Sequence, residues 1–353
     1  MSGYLSIFRG RRVLITGDTG FKGSWLALWL NELGADVTGI ALPPEGERPH
    51  FSLLGLDNLI RHVDGDIREK DTVTRVFEDC QPEIVFHLAA QSLVRLSYEE
   101  PKRTFDTNIG GSVNVLEAVR EQPCVRSLVF ITSDKCYRNQ EWTWGYREGD
   151  ELGGRDPYSA SKASAELVFS AYRESFFGLR PDLGAASARA GNVIGGGDWA
   201  RDRIVPDCVR ALTAGRPIVL RNPEATRPWQ HVLDPLSGYL QLAAGLFDEP
   251  KRYSGAWNFG PLLDGACTVG ELADRMVADW GSGATVVDQS QDAPHESRLL
   301  HLNIDKAQLE LGWRPRWDLP RTIAETVSWY RKTEDGAAAG DVSRAQINAH
   351  MEA

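Results

Sequence analysis

Through the first 190 residues, short apolar runs rich in branched side chains alternate with helical stretches. The runs are "RVLIT" (12–16), "DVTGIAL" (36–42), "RHVDGD" (61–66), "EIVFHLAA" (83–90) and "SLVFITS" (127–133), and "GAASARA" (184–190) is expected to close the series. Strands apolar on both faces and separated by helices predict an α/β chain with a doubly wound, Rossmann-like parallel sheet. Beyond Gly191 the pattern loosens into a smaller, mixed α/β substrate-binding domain. The division expected is residues 1–190 as the sheet domain, with a returning segment at about 232–262. Residues 191–231 and 263–335 then form the second domain. After Glu334 the stretch "DGAAAGD" reads as a linker to a poorly packed tail, 336–353.

The first apolar run ends in "TGDTGFKG", which places Gly17, Gly20 and Gly23 where a strand turns into a helix (Lys22 to Leu33). Glycine there lets backbone approach a pyrophosphate, and a helix N-terminus offers free N–H groups and a positive dipole end. Phe21 and Lys22 belong to the same expected cofactor set, as do Asp66, Ile67, Leu88, Ala89 and Ala90 at later strand ends. A ribose-binding acid belongs at the far end of the second strand. Asp36 instead begins that strand, about 16 Å away at ~3.3 Å per residue, and the far end reads Ile40-Ala41-Leu42. The pattern alone therefore leaves NAD and NADP open.

"YSASK" sets Tyr158 and Lys162 four residues apart on one helix face. An ammonium beside a phenol favours the phenolate, which can take a proton from an alcohol while hydride leaves to a nicotinamide. Ser133, at the end of an apolar run, can hydrogen-bond the same hydroxyl. Asp134 and Lys135 follow it directly, and an oxidation alone has no use for them.

Together the glycine loop, "HLAAQS" (87–92), Asn108, Ser133 and the Tyr158/Lys162 pair resemble the extended short-chain dehydrogenase/reductases. Within that superfamily, "TGFKGSWLALWL", "TSDKCY" and "RPWQHVLDP" are similar to the CDP-glucose 4,6-dehydratases. The resemblance implies NAD as cofactor, CDP-glucose as substrate, and dehydration to a 4-keto-6-deoxy sugar nucleotide. Tyr158, Lys162 and Ser133 would then serve oxidation at C4, with Asp134 as acid at C6 and Lys135 as base at C5. A 4,6-dehydratase or 4-epimerase of another nucleotide sugar is the alternative, and a non-catalytic dinucleotide sensor a further one. The expected substrate residues are Gln91, Asn108, Asn192, Arg201, Arg203, Arg221, Arg227, His231 and Arg298. Arginine's planar fork suits phosphate oxygens. His295 and Glu296 match a family stretch without a derived role, and no metal is expected. Trp142 and Trp144 wall the sugar site or belong to the core. The resemblance also implies that the stretch 98–122, read as one long helix, and the Tyr158 helix pair with a second subunit in a homodimer or higher homo-oligomer. Asp18 departs from the family, which usually carries His or a neutral residue there. Its carboxylate would repel a pyrophosphate unless it caps the following helix near Phe21.

Composition narrows the setting. Net charge is −10 across 353 residues, which disfavours nucleic-acid partners. No run is long enough to span a membrane, the first residues lack a signal-peptide core, and five scattered cysteines suggest reduced thiols and a cytoplasmic protein.

Overall fold

The computed structural model describes residues 3–200, 202–262, 266–288 and 299–353. Its centre is a seven-stranded parallel sheet of β1 (Arg12–Thr16), β2 (Asp36–Ala41), β3 (Arg61–Asp64), β4 (Ile84–His87), β5 (Ser127–Ile131), β6 (Gly184–Ala190) and β7 (Gly255–Phe259). The strand order is β7-β6-β5-β4-β1-β2-β3. β6 is therefore not the edge that the sequence suggests, because β7 returns from the later chain and pairs along its whole length. β1 and β4 to β6 are almost entirely buried, as expected of strands covered by helices on both faces. Two separate apolar cores lie on either side, one around Trp25, Trp29 and Trp257, the other around Phe77, Phe130 and Phe169.

The order reverses at β1. The chain runs outward through β2 and β3, then resumes on the opposite side with β4 and β5. Ligands of such sheets bind outside the carboxyl ends of the strands at this reversal. Gly17 follows β1 there, Leu88–Ala90 follow β4, and Ser133–Lys135 follow β5.

Two segments differ from the sequence reading. Residues 98–122 are not one helix. They form Val94–Glu99, Pro101–Phe105, a π-helical turn Asp106–Gly111 and Ser112–Glu121. Pro101 breaks the first junction, since proline disfavours helical backbone in the residue before it. The expected tail is a helix, Ala339–Glu352, with Ile347 and His350 buried. His350 Nε2 lies 2.9 Å from Asp234 Oδ1, and its ring stands edge-on to Trp29. Among the described residues no helix is long and apolar enough to cross a membrane.

Candidate active site

The glycine loop is shaped by close approach. Gly17 has φ +82°, and a Cβ there would come within 2.7 Å of the Ala89 backbone. A Cβ on Gly23 would lie 2.0 Å from the Gly17 carbonyl oxygen. Gly20 caps the helix Phe21–Glu32 without any side-chain acceptor, leaving its first N–H groups free for an anion. These features fit a dinucleotide pyrophosphate.

Asp18 neither caps this helix nor faces the loop. Its carboxylate is fully buried beneath Gly39, where a Cβ would meet Oδ2 at 2.0 Å. Oδ2 lies 2.6 Å from His62 Nδ1 on β3, and that bond raises the imidazole above its ordinary pKa. The pairing counters the charge expected to repel phosphate. Asp66 is also occupied, with Arg68 donating to both of its oxygens at 2.9 Å through the backbone N–H and Nε. The guanidinium accordingly holds the carboxyl below its usual range. Ile67 is packed against Gly111, and the Ala89 N–H donates to Thr16 Oγ1 at 3.2 Å.

The turn after β5 brings the chemistry together. Ser133 caps a short 3-10 turn, accepting from the Lys135 N–H at 3.2 Å and donating to Asp134 Oδ1 at 2.9 Å. Tyr158 enters on the helix Pro157–Ser175, whose start is set by Pro157 and the Asp156 cap. Its phenol hydrogen-bonds with Ser133, which favours the phenolate, but burial outweighs this and pushes its pKa up to about 12. Burial raises Asp134 as well, so its carboxyl leans toward the protonated form. Lys162 is brought down to about 8, again by burial, with Glu166 opposing. The positive charge that would make a phenolate at neutral pH is not supplied by these side chains alone.

Lys22 adds a cation that the sequence placed only with the cofactor. Its ammonium lies 5.9 Å from the Tyr239 ring, and burial lowers it to about 8 against the field of Asp134. Arg203 reaches the same pocket. It is anchored to Asp198 at 2.9 Å, and its charge is felt by both Tyr158 and Lys22.

Other expected substrate residues are placed differently. Asn108 and Gln91 are buried against each other. Asn108 accepts from the Gln91 N–H at 2.8 Å and donates to the Gln91 carbonyl and to Ser161 Oγ. The Gln91 amide is spent on Leu93 and Thr104. They brace the π-helical turn against the Tyr158 helix, and none of these bonds reaches toward a ligand. His231 is fully buried, its ring 4.6 Å from that of Trp317 and near Trp25. Arg221 pairs with Asp202 at an exposed position. Arg227, half-buried, donates to the Thr226 carbonyl, and the Asn192 carbonyl accepts from Gln230. Arg201, His295, Glu296 and Arg298 lie outside the described residues. Trp142 packs at a tilt against Tyr146, 5.2 Å between ring centroids, within an aromatic cluster whose outer member, Trp144, is exposed.

Beneath this turn is a buried network with no sequence signature. Glu166, four residues beyond Lys162, accepts from Thr132, from Ser187 at 2.8 Å and from Arg189 at 2.7 Å. Arg189 also donates to Tyr137 Oη at 2.6 Å, and Tyr137 donates to Asn258 at 2.8 Å. Only an apolar stretch carrying a lone arginine, "GAASARA", and the Glu166 spacing hinted at it.

Comparison with known proteins agrees with this geometry. The family model described as GDP-mannose 4,6 dehydratase matches residues 14–326. CDP-glucose 4,6-dehydratase of Salmonella typhimurium is 47% identical over 352 residues, covering 99% of this chain and 98% of the relative. Among solved structures, dTDP-glucose 4,6-dehydratase from Streptomyces venezuelae with NAD bound superposes with a TM-score of 0.77 at 27% identity, covering 92% of this chain and 98% of that one. UDP-glucose 4-epimerase from Thermus thermophilus in complex with NAD gives a TM-score of 0.77 at 27% identity, covering 91% and 99%.

Proposed function

Since the chain belongs to the GDP-mannose 4,6 dehydratase family, we propose that it dehydrates CDP-glucose to CDP-4-keto-6-deoxyglucose using NAD. The observation that carries the reading is the pairing of an oxidation set, Tyr158, Lys162 and Ser133, with a buried acid one residue on. The nucleotide follows the Salmonella relative. Bound NAD supplies the chemistry of accepting a hydride at C4 and returning it at C6.

The chain's own groups do the rest. Tyr158 takes the 4-hydroxyl proton, with Ser133 aligning that hydroxyl. The resulting 4-ketone acidifies the C5 proton, which Lys135 removes and later restores. Asp134, favoured in its protonated form by burial, protonates the departing 6-hydroxyl. Lys22 and Arg203 set the positive field of the pocket, and Arg203 and Arg227 are assigned to the substrate's phosphates.

Purified protein supplied with NAD should convert CDP-glucose to a product lighter by one water with a new C6 methyl signal in proton NMR. dTDP-glucose, UDP-glucose and GDP-mannose should remain unchanged. A product of unchanged mass with an inverted C4 centre would instead make the protein an epimerase.

The protein is also proposed to act as a homodimer in the cytoplasm. Tyr98, Phe105 and Leu167 are exposed on three helices that pack against one another, Val94–Glu99, Pro101–Phe105 and Pro157–Ser175. Large apolar side chains gathered in this way favour covering by a partner. Sedimentation should give twice the 39.1 kDa of one chain, and Leu167→Arg should shift the protein toward monomer. A wild-type protein that sediments as a monomer would end the dimer reading.

A further inference from the structure

Dehydration across C4 to C6 leaves the protein with one proton displaced. Tyr158 gains a proton when the 4-hydroxyl is oxidised, and Asp134 loses one when the 6-hydroxyl leaves as water. The C5 proton is borrowed and returned. Hydride leaves C4 and arrives at C6, so the electrons balance. Each turnover therefore ends with Tyr158 protonated and Asp134 ionised, whichever group acts at C5. Both side chains are buried, at 7% and 4% exposure, so recharging from bulk water past a filled pocket is obstructed.

We propose that the Ser133 hydroxyl closes this cycle by passing the proton from Tyr158 to Asp134. The proton that leaves in water is then one taken from a substrate 4-hydroxyl in an earlier turnover. The inference rests on the dehydratase reading above and extends it to how the site is reset.

The contacts form a continuous chain. Ser133 Oγ donates to Asp134 Oδ1 at 2.9 Å, and the same side chain neighbours the Tyr158 phenol closely enough to favour its phenolate. The Lys135 N–H donates to Ser133 Oγ at 3.2 Å and fixes the hydroxyl between its two partners. Gly191 leaves Asp134 Oδ2 uncrowded, since a Cβ there would approach to 3.0 Å. In the reset step the tyrosine O–H breaks as a new serine O–H forms. The original serine O–H breaks as the carboxyl O–H forms. Charge moves from carboxylate to phenolate, serine ends as it began, and no further reactant is consumed. Burial favours the protonated form at both ends of the chain, so positive charge beside the phenol, including that of Arg203, has to draw the proton toward the carboxyl.

The test compares one turnover with many, using NAD-loaded wild type, Ser133→Ala and Ser133→Thr with CDP-glucose. In Ser133→Ala, the first turnover should slow about tenfold, from the lost hydrogen bond at the 4-hydroxyl. Later turnovers should slow by about a hundredfold more. Product should then appear as a burst of one equivalent per site. Added imidazole or formate should speed only the later turnovers, and the solvent isotope effect should be larger on them than on the first. Ser133→Thr, which keeps the hydroxyl, should abolish the burst and vouch for the fold. If single and multiple turnovers fall by the same factor and ignore added buffer, the relay is wrong while the dehydratase reading stands. A wild type that forms no dehydrated product removes that reading before any variant is made.

Discussion

Replacing Tyr158 with phenylalanine is expected to lower kcat for dehydration by about three powers of ten, with the fold intact and NAD still bound. Phenylalanine keeps the ring that packs at this buried position and removes only the hydroxyl. What disappears is the group that takes the 4-hydroxyl proton, together with the partner that Ser133 holds. Because burial pushes that hydroxyl to about 12, the phenolate must form through positive charge arriving in the pocket. The loss should therefore appear in kcat rather than in KM, since ground-state binding does not use it. The pH profile separates the two members of the pair. Lys162 carries a lowered value of about 8, so an activity that needs its ammonium fades as pH rises through 8. That alkaline limb should survive in the residual activity of Tyr158→Phe. A variant within tenfold of wild type would remove Tyr158 as the base.

Where the chain repeats a simple physical pattern, the fold could be read directly. Apolar runs buried on both faces marked the strands, and Gly17, Gly20 and Gly23 marked the loop that packs against Ala89. Tyr158 and Lys162 were legible because their relation is local, a single helical turn. What escaped depends on partners far away in the chain. Asp18 looked like a phosphate-repelling residue because nothing nearby announces His62, 44 residues later. A returning segment at 232–262 was expected, but not that its strand β7 lies beside β6 at the edge, which follows from tertiary pairing. The last helix was misread for a different reason. Gly336, at φ +94°, ends the preceding helix instead of starting a linker. The buried face that follows is Ala339, Val342, Ser343, Gln346, Ile347 and His350, too small and polar to register as an amphipathic stripe.

The same limit hid the network that holds the reactive turn in place, and its loss should destabilise the fold strongly. Glu166→Ala is expected to cost about 3–5 kcal/mol, because it strands the Arg189 guanidinium in the interior. Both side chains are at most 4% exposed, and they join the Tyr158 helix to β6 while Thr132 ties in the end of β5. Removing both charges, as in Glu166→Leu with Arg189→Met, should recover much of that loss, because no buried ion then lacks a partner. Urea unfolding of Glu166→Leu, Arg189→Met and the double variant measures the coupling. Single-variant costs that simply add in the double would mean that the pair contributes nothing as a pair. The same carboxylate is also the main charge keeping Lys162 from falling further. Without it, the lysine should lose its proton below pH 8, and the alkaline limb of activity should move to lower pH. Glu166 then acts on catalysis through Lys162 and on stability through Arg189, and only the first effect should show in the pH profile.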